Sequence, residues 1–481
     1  MSKKVLHEGD EGVSLIIRGP EAKPARRRKR SSPKGPTGRS PVHVLYGGAH
    51  LFKADTAKKV GRIALASLDE YASNFFEFAA ALGHPSAEKI AASGRDLESL
   101  EKFYSSAPEN LKTENQAAWL AAAIYDRTRK KLKAEPVEDF RIDFEDGYGF
   151  RPDDEEDGDA ARVAGELASA MSKGTITPFS GIRIKSYSKE TRERARRTLN
   201  IFMTALVEAT GGKLPENFVI TLPKVTDKKE VASLGRDLKK VEKQTGLSEG
   251  SIRIEIMIEH PLAIIDRDGR IALRSLVEAA RGRCVAAHFG AYDYTAALGI
   301  SASHQDLTHP ACDHARQLML AALSPLGLRL SDSVTVQLPV QLNKGKELSE
   351  QQAAQNRSAV HAGWRVHFAN VQRSMAQGFY QSWDLHPNQL AARYAAVFSF
   401  FLEAAEPQAA RLRSFMDRAA QATLTGNAFD DAATAMGIVN FFRMGISCGA
   451  LTKDEVKRMT GIDSAELSGE LFAGGSDRKR S

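Results

Sequence analysis

From Pro41 onward, short apolar runs with strand character alternate with helical patterns, and this rhythm constrains the fold more than any other feature of the chain. Candidate strands lie at 42–46, 140–144, 181–185, 218–222, 253–258, 283–288, 334–338 and about 378–385. Helical periodicity separates most of them, as at 160–171, 190–209, 228–244 and 351–376. Later spacings of about 30–50 residues suit strand–helix units with parallel pairing. Eight such units predict an α/β protein built on a closed (β/α)8 TIM barrel rather than an open sheet.

Two stretches depart from the rhythm. The gap between the first two strands is too long for one helix, and 69–83 and 114–133 read as helices inside it, so a helical insertion is expected at about 55–135. After residue 390 the pattern is helical at 389–405, 406–424, 429–444 and from 453. The expected organisation is a disordered basic tail at 1–40, the barrel at 41–400, a C-terminal helical extension at 401–470 and a second tail at 471–481. The extension must bury its apolar face somewhere, so a homo-oligomer is expected.

The formal charge of +7 belongs mainly to the first tail. Eight basic residues from Lys23 to Arg39 have no acid among them, and taking those eight from +7 leaves −1 for everything else. Such a run can meet a polyanion, but a solvated tail is the simpler reading, and nucleic acid is not expected as a partner. No apolar run reaches the ~18–20 residues that span a bilayer, so no membrane partner is expected. The opening MSKKVLHEGDEG has no signal-peptide character, and Cys284, Cys312 and Cys448 stand in no paired spacing. A cytoplasmic protein with reduced thiols is expected.

Three acidic segments fall at candidate strand ends. In Arg141-Ile-Asp-Phe-Glu-Asp-Gly-Tyr-Gly149, three carboxylates (Asp143, Glu145 and Asp146) sit within four residues and precede a permissive turn. Close carboxylates repel, so they need water, a cation or a basic partner. Glu259 ends Ile254-Glu-Ile-Met-Ile-Glu-His-Pro261, where alternation sends Glu255 and Met257 to one side and Ile256 and Ile258 to the other. Asp293 is expected on the loop just past the next strand. Neighbouring strands lie about 5 Å apart, so these two acids can share one cation, and two carboxylates plus waters suit Mg2+. Arg183 can fork onto a substrate carboxylate, with Lys185 as its competitor. Lys224 ends the fourth strand and reads as a rim or structural lysine as readily as a catalytic one, while His386 could bond substrate or cap its loop. His304, His309 and His314, with Asp306, Cys312 and Asp313, match no zinc spacing. No Walker loop, GxSxG or CxxC is present.

Six motifs in order resemble the HpcH/HpaI aldolase and citrate lyase β-subunit superfamily, which neighbours malate synthase and malyl-CoA lyase. They are DFEDGYG from Asp143, the strand residue Arg183, LPKV from Leu222, IEHP from Ile258, GAYDYT from Gly290 and HPNQ from His386. The resemblance covers about residues 41–400, and GAYDYTAALG with WDLHPNQLAARYAA looks nearest to an aldolase-like, phosphoenolpyruvate-related branch. The citrate-lyase-like members do not typically carry so long an insertion. The resemblance implies a phosphoenolpyruvate/pyruvate-type barrel with Mg2+ or Mn2+. Glu259 and Asp293 match its metal ligands, and Arg183 matches the arginine that holds a substrate oxygen. Gly290 and Ala291 fall at substrate-binding positions. Asp146, with Glu145, matches the acidic position beside the metal waters. The aldolase branch has a His where Asp146 stands, so its base does not carry over, and Asp146 is the candidate base here.

The function so implied is a divalent-metal-dependent carbon–carbon lyase or aldolase. It would act on a small 2-oxo or hydroxy acid through a metal-stabilised enolate. The alternatives are a condensing enzyme or thioesterase acting on a CoA thioester, and a non-catalytic binding protein that uses its basic tail.

Overall fold

The computed structural model describes residues 39–345, 347–425, 432–463 and 467. Apart from Arg39 and Ser40, the two expected tails lie outside the described residues.

Eight parallel strands close into a barrel in sequence order: β1 (His43–Gly48), β2 (Asp139–Asp143), β3 (Phe179–Arg183), β4 (Phe218–Leu222), β5 (Arg253–Ile258), β6 (Cys284–Phe289), β7 (Arg329–Val334) and β8 (Gln381–Asp384). Closure is direct, with His43 opposite Ser382 and Leu45 opposite Asp384. Helices separate the strands, so the (β/α)8 reading holds. One strand sits elsewhere than expected. The segment 334–338 is mostly loop, and β7 is the more polar run Arg-Leu-Ser-Asp-Ser-Val just before it.

Strand alternation sorts the residues. Outward positions such as Phe140, Ile142, Ile182, Ile254, Ile256 and Ile258 enter the main apolar core under the helices. Inward positions stack in layers down the barrel axis. One layer is charged: Arg141 pairs with Asp139 and, at 2.7 Å, with Glu255, while His288 Nε2 lies 2.9 Å from Glu255. Buried charge survives only when paired, and Thr221 Oγ1 completes the set by donating to Glu255 at 2.8 Å. Above it Val44, Tyr46, Met257, Val334 and Trp383 form an apolar plug. Above that plug, at the C-terminal ends of the strands, lie Asp143, Arg183 and Glu259.

Between β1 and β2 run six helices, from Thr56–Tyr71 to Gln116–Ala134. The helix expected at 69–83 is instead two, Thr56–Tyr71 and Phe75–Leu82. Asn74 caps the second by accepting the Glu77 N–H at 2.8 Å. At the other end, 389–405 and 406–424 are not separate helices. One helix, Gln389–Thr425, runs through Pro407. It is pinned to the barrel by Arg393, whose guanidinium meets Asp384 at 2.8 Å, and Asp384 also holds His43 at 2.7 Å and His367 at 2.9 Å. Among the described residues no helix is long and apolar enough to cross a membrane. The three cysteines are buried and unpaired.

Candidate active site

β2 leaves the barrel at Asp143 and turns at once through Glu145, Asp146 and Gly147. Asp143 accepts the N–H groups of Glu145 at 3.0 Å and Gly147 at 2.7 Å, which fixes the turn. A Cβ on Gly147 would stand 2.6 Å from Asp143 Oδ2, so only glycine lets the turn fold this tightly.

The same Asp143 carboxylate takes both the Nε (2.7 Å) and the Nη2 (2.5 Å) of Arg183. The fork expected for a substrate is therefore occupied from within the protein. What Arg183 turns toward the mouth is Nη1, which lies 3.1 Å from Glu145 Oε2 and 3.7 Å from Asp146 Oδ2. Its guanidinium lies 4.8 Å from the centre of the Tyr46 ring in the plug below. Lys185 is not at this site. β3 ends at Arg183, alternation lapses, and Lys185 reaches outward to Phe144 O and Glu156, both at 2.8 Å.

Lys224 ties the acids together, a role that sequence reasoning did not assign to it. Its Nζ meets Glu145 Oε1 at 2.5 Å and Asp146 Oδ1 at 2.9 Å, and its own N–H donates to Glu259 Oε1 at 2.5 Å. Lys224 adopts a left-handed backbone with φ of 50°, an unfavourable conformation for a residue with a Cβ. That turn aims the N–H back at the β5 end.

Glu259 is 2% exposed just past β5. Burial pushes its carboxyl up to about 8. Arg183 pulls it back, while Asp293 and Glu145 add to the rise. Asp293 is exposed and lies in the first turn of the helix Ala291–Ala297 rather than on a loop. Gly290 precedes that helix, and a Cβ there would fall 2.5 Å from Glu259 Cβ and 2.7 Å from its Oε2. Glycine is what lets the β6 end pass beside the carboxylate. Ala291 is buried and donates its N–H to Ser333 Oγ at 3.0 Å, so it sits behind the rim.

The two acids after β2 diverge. Burial pushes Glu145 up, helped by Asp146 and opposed by Arg183 and Lys224. Burial also works against the charge on Asp146, but Lys224 and Arg183 outweigh it and hold that carboxyl below its ordinary range. Asp146 is the more open of the two, with 54% of its side chain exposed. His386 caps its own loop by accepting the Asn388 N–H at 3.2 Å, and His309 caps the helix Pro310–Leu323. Among the described residues, no three His, Cys, Asp or Glu side chains converge as a metal cage.

The residues fit a divalent cation that takes few protein ligands. Glu259 and Asp293 offer hard oxygen donors, Glu259 carries a charge that burial disfavours, and Gly290 leaves space at its Oε2. Mg2+ commonly binds through one or two carboxylates and keeps several waters.

One family matches the chain over residues 22–473. The chain belongs to that family, DUF6986, described as a domain of unknown function. Among solved structures, this DUF6986 protein is similar to a citrate lyase from Burkholderia xenovorans LB400. Identity is 18%, covering 70% of this chain and 92% of that one, with a TM-score of 0.48. A malate synthase from Haloferax volcanii with glyoxylate matches at 18% identity over 54% and 65% of the two chains, with a TM-score of 0.41. An HpcH/HpaI aldolase from Desulfitobacterium hafniense matches at 14% identity over 55% and 82%, with a TM-score of 0.32. No curated protein matches the chain.

Proposed function

We propose that the barrel mouth is the active site of a divalent-cation-dependent carbon–carbon lyase or aldolase acting on a small 2-oxo or hydroxy acid. The observation that carries this reading is the buried Glu259 carboxyl, which accepts the Lys224 N–H and is pushed up by burial, with Asp293 adding to the rise. Glu259 and Asp293 would hold Mg2+ or Mn2+. When bound, the ion supplies Lewis-acid polarisation of a substrate oxygen. The remaining work falls to the chain itself. Arg183 Nη1 and Lys224 Nζ are the cations at the mouth, paired there with Glu145 and Asp146, and a substrate carboxylate would have to share them with those acids, while Asp143 keeps Arg183 from moving. Asp146, ionised and open to solvent, takes a proton at its carboxylate oxygen as general base. The plug of Tyr46, Met257, Val334 and Trp383 closes the floor and keeps bulk water from entering from below.

The test is release of pyruvate or glyoxylate from candidate hydroxy acids with and without Mg2+. Turnover that depends on Mg2+ and is lost in Glu259→Gln and Asp293→Asn supports the reading, and turnover that survives both substitutions rejects it.

A further inference from the structure

Asp143 holds Arg183 along one edge, through Nε and Nη2. Such a fork fixes the guanidinium within its own plane but lets it hinge about the line of the two bonds. Nη1 is the corner farthest from that hinge, so a tilt moves it most. It is also the nitrogen that meets Glu145 Oε2 at 3.1 Å at the barrel mouth. Holding Nη1 in place therefore takes a further contact, from above or below the plane.

Tyr46 supplies it from below. The Arg183 guanidinium carbon lies over the Tyr46 ring, 4.8 Å from its centre, within the range of a cation–π contact. Both side chains are buried, so water screens the contact little. Met257, from the same plug, places its Sδ 3.7 Å from Nη1.

The ring is itself held. Trp383 packs 4.8 Å from it, centre to centre, and the Tyr46 hydroxyl lies 3.1 Å from His288 Nδ1. His288 Nε2 lies 2.9 Å from Glu255, which is anchored in turn by Arg141 at 2.7 Å and Thr221 at 2.8 Å. One continuous run of buried contacts links the charged layer in mid-barrel to the arginine at the mouth. A plug alone needs only apolar bulk. A platform for a guanidinium needs the π face of a ring.

We propose that Tyr46 is a positioning residue for Arg183: its ring holds the guanidinium plane from below, and His288, backed by Glu255, holds the ring. The proposal rests on the reading of this mouth as an active site, but one arm of its test does not.

That arm is NMR of the full chain labelled with 15N at arginine. The Arg183 Nε–H signal is identified by its loss in Arg183→Lys. Tyr46→Met fills the plug without a π face, and Tyr46→Phe keeps the face without the hydroxyl. The Arg183 signal should lose its ring-current shift in Tyr46→Met and keep most of it in Tyr46→Phe. Tyr46→Leu replaces the methionine variant if circular dichroism shows that one unfolded. The second arm is Mg2+-dependent deuterium exchange into pyruvate. Its kcat/KM should fall about tenfold in Tyr46→Met, the scale of a desolvated cation–π contact, and recover most of that in Tyr46→Phe. Mn2+ affinity should stay the same in both, because Tyr46 touches neither Glu259 nor Asp293. An Arg183 signal that does not move in Tyr46→Met overturns the proposal, as does an equal loss of kcat/KM in the methionine and phenylalanine variants. A wild-type chain without exchange under either metal would reject the lyase reading, and the arginine signal would still decide the role of Tyr46.

Discussion

Asp143 holds Arg183 at two points, 2.7 Å from Nε and 2.5 Å from Nη2, and both residues are buried. This pair decides which edge of the guanidinium faces the barrel mouth. Asp143→Asn should remove the charge that fixes that edge and leave Arg183 short of a counter-ion. Removing one partner of a buried pair costs about 3–5 kcal/mol, and misplacing a positioning group by about 1 Å costs about 100-fold in rate. Urea unfolding and steady-state turnover measure the two effects. Unchanged turnover in a folded Asp143→Asn protein would remove Arg183 orientation from the account.

Lys224 and Asp146 give a pH-dependent prediction. Lys224 helps hold the Asp146 carboxyl below its ordinary range. Lys224→Met removes that influence, so the Asp146 pKa rises. The base is lost on the acid side, so the acidic limb of the pH–rate profile should move to higher pH. A limb that stays in place in Lys224→Met means that another group is the base.

Gly290→Ala should damage cation binding rather than the barrel. The added Cβ meets Glu259 at its Cβ and Oε2, inside van der Waals contact. Disturbing a group that orients a metal ligand typically costs about 10–100-fold in affinity. Mn2+ titration followed by electron paramagnetic resonance measures the loss, and circular dichroism checks that the fold is intact.

Acid stability should be set by the cluster that closes β8 onto β1. Burial opposes the Asp384 charge, but Arg393 and His367 hold its carboxyl well below the usual value. Burial lowers His367. Both folded values are depressed, so the sign is the same for both. The His367 contribution is present above about 6.5 and the Asp384 contribution above about 4, and each is lost as pH falls. The urea midpoint should begin to drop as pH falls below about 6.5 and drop more steeply below about pH 4. His367→Gln should flatten the first drop and leave the second.

The barrel was legible in the sequence because outward strand positions are Ile, Val and Phe, which give an apolar signal whatever faces inward. β7 was not legible for the complementary reason. Its inward positions carry Arg329 and Ser331, its register shifts between Ser331 and Val334, and its outward Asp332 pairs with Arg316 at 3.1 Å. Neither face of that strand reads as apolar, so the eye moves on to Val334 and Val336. At the mouth, the acids were visible as clusters at strand ends. Their partners were not, because Lys224 acts through a left-handed turn and Lys185 leaves the pleat once β3 ends. Asp143 was the acid with the least obvious purpose, yet the spacing Asp139, Arg141, Asp143 already places it on the inward face with the other two.

The central claim is that Glu259 and Asp293 hold a cation that acidifies a small 2-oxo acid beside Asp146. Proton NMR of pyruvate in D2O tests it without knowledge of the natural substrate. The full chain should accelerate exchange of the methyl protons for deuterium only when Mg2+ or Mn2+ is present, and Glu259→Gln should return the rate to the enzyme-free value. Exchange that proceeds equally with chelator, or equally in Glu259→Gln, would contradict it.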